Sequence, residues 1–231
     1  LREACLALGV PLISGKDSMK NDYHGKKQGD PIQISVVPTL LMTCVAKVSD
    51  LDRAKTSVFK SAGDVVYLLG GEGFSLWGSE CQKVMGDIPQ VEKKNIKAPV
   101  INWNEAKKVY QFLGGENQGY LNSIHDLSEG GLLVALSESL MASGLGLEVQ
   151  VPENVDPWHF AFAEGFHSFV VSVKSENQEF VEKNWNKNGI SHSKLGTLSQ
   201  SNALSLSDGR QKLEFLVKDL YGSWSHAEYW D

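Results

Sequence analysis

The chain is poor in the features that mark secreted, redox-active or zinc-binding proteins. Its 231 residues include only three cysteines, Cys5, Cys44 and Cys81, which are far apart and belong to no CxxC or His/Cys motif. An odd number of scattered cysteines argues against a disulfide framework, so we expect a reducing, cytoplasmic setting. No apolar run approaches the roughly 18 residues of a membrane span, and no signal-peptide pattern opens the chain. We therefore expect neither a membrane protein nor a secreted one.

Charge of one sign is also not concentrated anywhere along the chain. The 22 Lys and Arg residues and 28 Asp and Glu residues leave a net charge of -6, with both signs interspersed. This pattern argues against a protein that binds nucleic acid or a membrane surface. A hydrophobic content of 42% is enough for a substantial core, and the length is typical of one or two domains.

Familiar catalytic and phosphate-binding motifs are missing as well. The phosphate-loop pattern GxxxxGK[ST] is absent, and GGEGFS differs from GxGxxG, so we expect residues 70–80 to form a simple turn. No spacing supports a Ser/His/Asp or Cys/His arrangement. His125 is a possible base, although a buried, hydrogen-bonded histidine is the more common state.

The first part of the chain predicts a helix, a ligand loop and buried strands. Apolar spacing predicts a helix from Arg2 to Leu8, stopped by Gly9, and then a strand over residues 11–14. Residues 34–48, ISVVPTLLMTCVAKV, are rich in β-branched and apolar side chains, which predicts strands buried on both faces. Because the chain begins without Met inside a predicted helix, we expect a fragment of a longer polypeptide.

A polar joint separates this part from a mixed helix and strand region, and we predict a domain boundary near Ser61. The second region would begin with a strand at residues 64–70 and would contain a polar linker at residues 87–97. A C-terminal helix over residues 213–230 should pack through Leu, Tyr and Trp side chains. The remaining predicted helices are residues 79–85, 100–113, 129–143 and 176–186, and the remaining predicted strands are residues 147–151, 169–173 and 195–198.

The first candidate site is the sequence GKDS, made of Gly15, Lys16, Asp17 and Ser18. A predicted strand that ends in a glycine, a cation, a carboxylate and a hydroxyl is typical of a loop that grips an anionic ligand. An ordinary polar turn uses the same residue types, so that alternative stays open.

The second candidate site is HDLSEGG, in which Asp126 ends a predicted strand and Ser128 stands where a helix N-cap is expected. Gly130 and Gly131 would let the first helical turn approach a ligand closely. Unpaired amides there would face a phosphate, and Asp126 could hold a magnesium ion that bridges phosphate oxygens. The alternative is a capped helix without a ligand.

Four segments together resemble one enzyme family. GVPLISGKDSMKND, PTLLMTCVAKVSD, GDVVYLLG with WGSE, and HDLSEGGLLVALSES occur in the order found in the second synthetase repeat of phosphoribosylformylglycinamidine synthases. These enzymes belong to the AIR synthase superfamily. The resemblance covers about residues 1–200, and LVKDLYGSW is similar to the helix that closes the repeat.

This resemblance implies an α+β fold in two parts. Residues 1–60 would end an AIR synthase N-terminal-like domain, and residues 61–231 would form a complete C-terminal-like domain with its closing helix. The family uses ATP, Mg²⁺ and ammonia from glutamine to convert formylglycinamide ribonucleotide into its amidine. The chain would then need the remaining synthetase and glutaminase domains, and we expect the isolated fragment to be inactive.

The resemblance also assigns roles to residues. The loop from Gly15 to Ser18 would reach the catalytic cleft, with Ser18 contacting substrate. Asp126 would face magnesium and Ser128 would face ATP or ADP in an auxiliary nucleotide site. Two positions depart from the family pattern: Trp77 replaces a usual glycine, and Ser168 stands where an arginine is common.

Two other readings stay open. The chain could be a non-catalytic half that binds nucleotide or acts as a scaffold, or it could belong to another superfamily member such as AIR synthase, selenophosphate synthetase or thiamine-monophosphate kinase. The apolar run TLLMTCVAKV, residues 39–48, also suggests pairing with another domain or a homodimer of the fragment.

Overall fold

The computed structural model describes residues 1–16, 22–35, 40–48, 50–86 and 101–226. The chain separates into two compact units, Leu1–Asp52 and Arg53–Asp231. The domain boundary near Ser61 stays a prediction. Within the described ranges, no helix is both long and apolar enough to span a membrane.

The described part of the first unit contains one short α-helix and one hairpin. Helix α1, Arg2–Leu8, ends at Gly9, which has the left-handed conformation (φ 68°) predicted for its C-cap. Strands β1, Tyr23–Lys27, and β2, Asp30–Ile34, pair antiparallel around a two-residue turn. Both turn residues have positive φ, as the twist of a tight hairpin requires.

Two strand predictions for this unit were wrong. Residues 11–14 form no strand, and Ile13 is 88% exposed. Residues 40–48 are exposed and irregular rather than buried on both faces, with Leu41 86% exposed. The described part of this unit pairs only β1 with β2, so these apolar segments have no strand ladder to join. Residues 36–39 and the predicted linker at 87–97 lie outside the described residues.

The second unit is built on two sheets. Its four-stranded sheet has the order β4-β6-β3-β7, and every neighbouring pair is antiparallel. In the three-stranded sheet, β8 lies between β5, to which it is parallel, and β9, to which it is antiparallel. The strands are β3 Val65–Ser75, β4 Leu121–Asp126, β5 Leu147–Gln150, β6 Glu164–Val173, β7 His192–Thr197, β8 Ala203–Ser207 and β9 Lys212–Leu216.

Helices cover both faces of the four-stranded sheet. They are α2 Glu80–Met85, α3 Trp103–Gly114, α4 Gly131–Met141, α5 Pro157–Phe162, α6 Gln178–Asn188 and α7 Val217–Ser225. Tyr67 of β3 packs on one face with Val109 of α3 and Trp185 of α6. The alternate residue Val66 packs on the other face with Leu136 of α4. This mixture of helices and sheets confirms the predicted α+β fold class.

Two further predictions for this unit need correction. The segment over residues 213–230 is not one helix, because Leu213 to Leu216 pair with β8 and α7 begins only at Val217. Tyr221 and Trp224 are 52% and 62% exposed instead of packed. The predicted turn at residues 70–80 was also wrong at its start, because β3 continues through the glycines to Ser75 with an irregularity in its pairing.

One partly buried hydrogen bond joins β3 to α6 and gives a first prediction. The Tyr67 hydroxyl donates to a Glu182 carboxylate oxygen at 2.5 Å, and this bond lowers the pKa of Glu182. We expect Tyr67→Phe to lower the free energy of unfolding by about 1 kcal/mol at neutral pH. A glutamate with a depressed folded-state pKa stabilises the protein above its unfolded pKa of about 4.3, and this contribution fades as the pH falls through the folded value.

Urea unfolding of wild type and Tyr67→Phe across acidic and neutral pH measures this effect. The difference in unfolding free energy should shrink as Glu182 becomes protonated. If the difference in unfolding free energy stays constant down to strongly acidic pH, the ionised Glu182 carboxylate does not contribute to the stability.

Candidate functional site

The loop between β4 and α4 holds the second candidate site. Strand β4 ends at Asp126 and α4 begins at Gly131. Gly130 and Gly131 have φ values of 87° and 70°, which side-chain-bearing residues rarely adopt. A Cβ on Gly131 would lie 2.8 Å from the carbonyl oxygen of Ala163. Gly131 therefore allows the helix start to pack directly against the chain before β6, whereas a Cβ on Gly130 would meet the Val134 side chain of the same helix.

Asp126 and Ser128 form a linked pair on the surface of this loop. The Ser128 hydroxyl donates to Asp126 Oδ2 at 2.5 Å, and this bond lowers the pKa of Asp126. The Asp126 side chain is 63% exposed, so an ionised carboxylate faces solvent. The expected N-cap role of Ser128 was wrong: Gly130 is the N-cap, and the Ser128 hydroxyl donates to a carboxylate.

His125 joins the end of β4 to α4. Its Nε2 lies 2.7 Å from Glu138 Oε2, and its Nδ1 lies 3.5 Å from Asp126 Oδ1. Its side chain is only 17% exposed, which agrees with the expected hydrogen-bonded histidine. The ring therefore lies between two carboxylates and holds the strand end against the second turn of the helix.

Glu164, the first residue of β6, binds the starts of two helices with one oxygen. Its Oε1 accepts hydrogen bonds from the backbone N–H of Glu80 and of Gly130, each at 2.8 Å. The N–H of Gly131 donates to the Ser128 carbonyl at 3.2 Å. The two glycine amides therefore already have partners inside the protein, and a carboxylate lies at the positive helix ends.

Sequence reasoning missed Glu164 and Glu138. Glu164 contacts residues 34 and 84 positions away, so no local spacing reports the contact. A carboxylate on the first residue of a strand is a weak signal by itself. Only the pairing of Ser75 with Glu164, which places the start of β6 beside the end of β3, brings these groups together.

Neither of the two positions that depart from the family pattern supplies a phosphate-binding cation. Trp77 is 44% exposed in the turn before α2, where Gly78 donates its N–H to the Gln82 side chain. Ser168 is 2% exposed and its hydroxyl donates to the Phe166 carbonyl. Its own carbonyl accepts the N–H of Leu127, which fixes the loop backbone to β6.

The loop suits a magnesium ion shared with a ligand better than a metal held by protein alone. Among the residues that the structure describes, no group of three His, Cys, Asp or Glu side chains is placed to hold a metal. Asp126 supplies a single exposed, ionised carboxylate. Mg²⁺ commonly binds through one or two carboxylates together with phosphate oxygens and water, which fits this arrangement.

The two candidate sites belong to different units. Asp126, Ser128, Gly130 and Gly131 lie together in the second unit. Gly15 and Lys16 are exposed and irregular in the first unit. Asp17 and Ser18 lie outside the described residues, and the ligand roles of all eight residues stay predictions.

Comparison with known protein families identifies the second unit. Residues 61–209 match the family model described as AIR synthase related protein, C-terminal domain. The chain belongs to this family. The match covers β3 to β8, and therefore includes the β4–α4 loop and Glu164.

Solved structures with a similar fold include PurL proteins from Thermotoga maritima. The structure titled T. maritima PurL complexed with FGAR matches 94% of this chain and 36% of its own, with a TM-score of 0.63 and 18% identity. The structure of PurLQS from Thermotoga maritima matches 73% of this chain and 28% of its own, with a TM-score of 0.57 and 18% identity. The complex of T. maritima PurL with ATP matches 73% and 27%, with a TM-score of 0.56 and 18% identity.

The chain therefore spans between 27% and 36% of the length of these PurL structures. At this identity the likeness establishes the fold.

Proposed function

We propose that this chain is part of an ATP-dependent ligase that converts formylglycinamide ribonucleotide into its amidine in purine biosynthesis. The observation that carries the proposal is the likeness to PurL complexed with FGAR over 94% of the chain. The four ordered sequence segments support the same reaction. The remaining synthetase domains and a glutaminase would complete the enzyme in the cytoplasm, and the chain alone would not turn over substrate.

In this proposal the β4–α4 loop binds ATP or ADP through magnesium. PurL structures with ATP, ADP and AMPPCP are among the similar folds, which supports a nucleotide ligand. Asp126 would bind Mg²⁺ and Ser128 would contact the nucleotide. Glu138 and Glu164 add negative charge around the loop, so a bare phosphate would be repelled and a magnesium-bound phosphate would be favoured.

Gly130 and Gly131 would serve this site mainly through their backbone shape. Their amides already donate to Glu164 and to the Ser128 carbonyl. A Cβ on Gly130 would lie 2.5 Å from the Val134 side chain, so a larger residue would displace the first helical turn. The glycines thus fix where Asp126 and Ser128 stand relative to a ligand.

A second candidate is a non-catalytic role in which this unit retains nucleotide as a structural ligand. The exposed Asp126 carboxylate and its Ser128 partner favour it, because the two side chains could hold a magnesium-bound nucleotide without taking part in a reaction. The two candidates differ in whether nucleotide at this loop is consumed during turnover.

The substrate loop gives a kinetic prediction that tests the proposed reaction. In the full-length enzyme, Ser18→Ala should raise the KM for formylglycinamide ribonucleotide roughly two- to tenfold, because one hydroxyl hydrogen bond contributes about 0.5–1.5 kcal/mol. Steady-state kinetics and a thermal melt of the same preparation measure both effects. An unchanged KM with a large drop in melting temperature would make Ser18 a structural residue.

A further inference from the structure

The Glu164 carboxylate links the β4–α4 loop to the start of α2. Its Oε1 accepts the N–H of Glu80 at 2.8 Å and the N–H of Gly130 at 2.8 Å. The residue before it, Ala163, is buried and approaches Gly131 closely through its carbonyl. The Glu164 side chain therefore binds the Gly130 backbone, and the backbone just before Glu164 lies against Gly131.

These two hydrogen bonds differ from ordinary helix caps because a single oxygen from a distant strand accepts both. Helix α2 already has a cap, because the Ser79 hydroxyl accepts the N–H of Gln82. Helix α4 has no side-chain cap from its own loop. Glu164 therefore supplies the missing acceptor for α4 and shares the same oxygen with α2, so that a movement of either helix start would strain the other.

We infer that Glu164 is a positioning residue for the nucleotide loop: its carboxylate oxygen sets the backbone at Gly130, and through that backbone it sets the direction in which Ser128 and Asp126 face. The inference rests on the proposed nucleotide site. In this inference Glu164 acts through the loop backbone and not on the ligand, since its Oε1 accepts two amides of the protein.

Two substitutions at position 164 distinguish the hydrogen-bond acceptor from the negative charge. Glutamine at position 164 keeps an oxygen that can accept both N–H groups but carries no negative charge. Alanine removes the acceptor and leaves two helix-start amides without it. If the acceptor positions the loop, Glu164→Gln should behave like wild type, and Glu164→Ala should not.

Hydrogen exchange measures whether the two amides stay hydrogen-bonded to residue 164, and it needs no ligand. In the 231-residue chain, the amide protons of Glu80 and Gly130 should exchange slowly in wild type and in Glu164→Gln. In Glu164→Ala both should exchange at least tenfold faster, and by a common factor, while the amides of β6 keep their rates. Faster exchange at only one of the two positions would overturn the shared role of the oxygen.

Calorimetric titration of the full-length enzyme with ADP and Mg²⁺ measures how these substitutions change nucleotide affinity. Glu164→Ala should weaken this binding at least tenfold, and Glu164→Gln should stay within about threefold of wild type. Equal affinity in wild type and Glu164→Ala would overturn the inference, and so would equally weak binding by both variants. Asp126→Asn serves as the reference: if it too binds like wild type, the proposed nucleotide site itself fails, which is distinct from a failure of Glu164 alone.

Discussion

Trp185→Ala is expected to lower the free energy of unfolding of the second unit by about 3–5 kcal/mol. Trp185 is fully buried between α6 and the four-stranded sheet. Its ring meets Tyr67 edge-on at a centroid distance of 5.0 Å and Phe112 at 5.8 Å. Alanine would therefore leave a large cavity and remove two aromatic pairs at once. Urea unfolding followed by far-ultraviolet circular dichroism measures the loss.

Trp185→Phe is the matched control for this prediction. The indole Nε1 has no hydrogen-bond partner among the described residues, so phenylalanine gives up no hydrogen bond and retains most of the aromatic contact. Its cost should be clearly smaller than that of alanine. Equal losses for the two variants would mean that the packing described around this ring does not stabilise the unit.

The sequence predicted the second unit better than the first because its patterns are local and complete. The apolar residues of β3, α3 and α4 pack against each other within the same unit. Hydrophobic periodicity is therefore enough to predict these elements. The run at residues 34–48 has the composition of buried strands, yet its described part, residues 40–48, is exposed. A strand needs a neighbour, and composition cannot report whether the neighbour lies in the chain.

The candidate site could be predicted only in part, because some of its contacts join residues that are far apart in the sequence. Asp126, Ser128 and the glycine pair are adjacent in sequence, so the motif alone brought them together. Their hydrogen bonds were not predictable: Ser128 donates to Asp126, and the N–H of Gly130 is taken by Glu164, which is 34 residues away. The residue that completes the helix start belongs to the strand that follows α5.

Asp126→Asn in the full-length enzyme is expected to abolish the stabilisation that Mg²⁺ and ADP provide together at this loop. Ligand at about 100 times its dissociation constant adds roughly 2.7 kcal/mol to the native state. The asparagine amide lacks the negative charge of the carboxylate and is a much weaker magnesium ligand, so this increment should disappear. A purely electrostatic role at the helix start predicts instead a metal-independent change of about 0.3–1 kcal/mol. Thermal melts with and without Mg²⁺ and ADP separate these outcomes.

Asp156→Asn is the matched control for the charge change. Asp156 is the N-cap of α5, where its Oδ1 accepts the N–H of His159 at 2.8 Å, and asparagine caps helices as well as aspartate does. This variant should keep the full response to Mg²⁺ and ADP. Equal responses in wild type, Asp126→Asn and Asp156→Asn would leave the HDLSEGG segment as a helix start without a ligand.

The most direct test of the proposed function is turnover by the full-length enzyme. Purified enzyme would be incubated with ATP, Mg²⁺, ammonium and formylglycinamide ribonucleotide, and the products would be followed by mass spectrometry. We expect a product in which NH replaces the amide oxygen, formed in step with ADP and phosphate. ATP consumption without that product, or phosphorylation of thiamine monophosphate by the same preparation, would contradict the assignment.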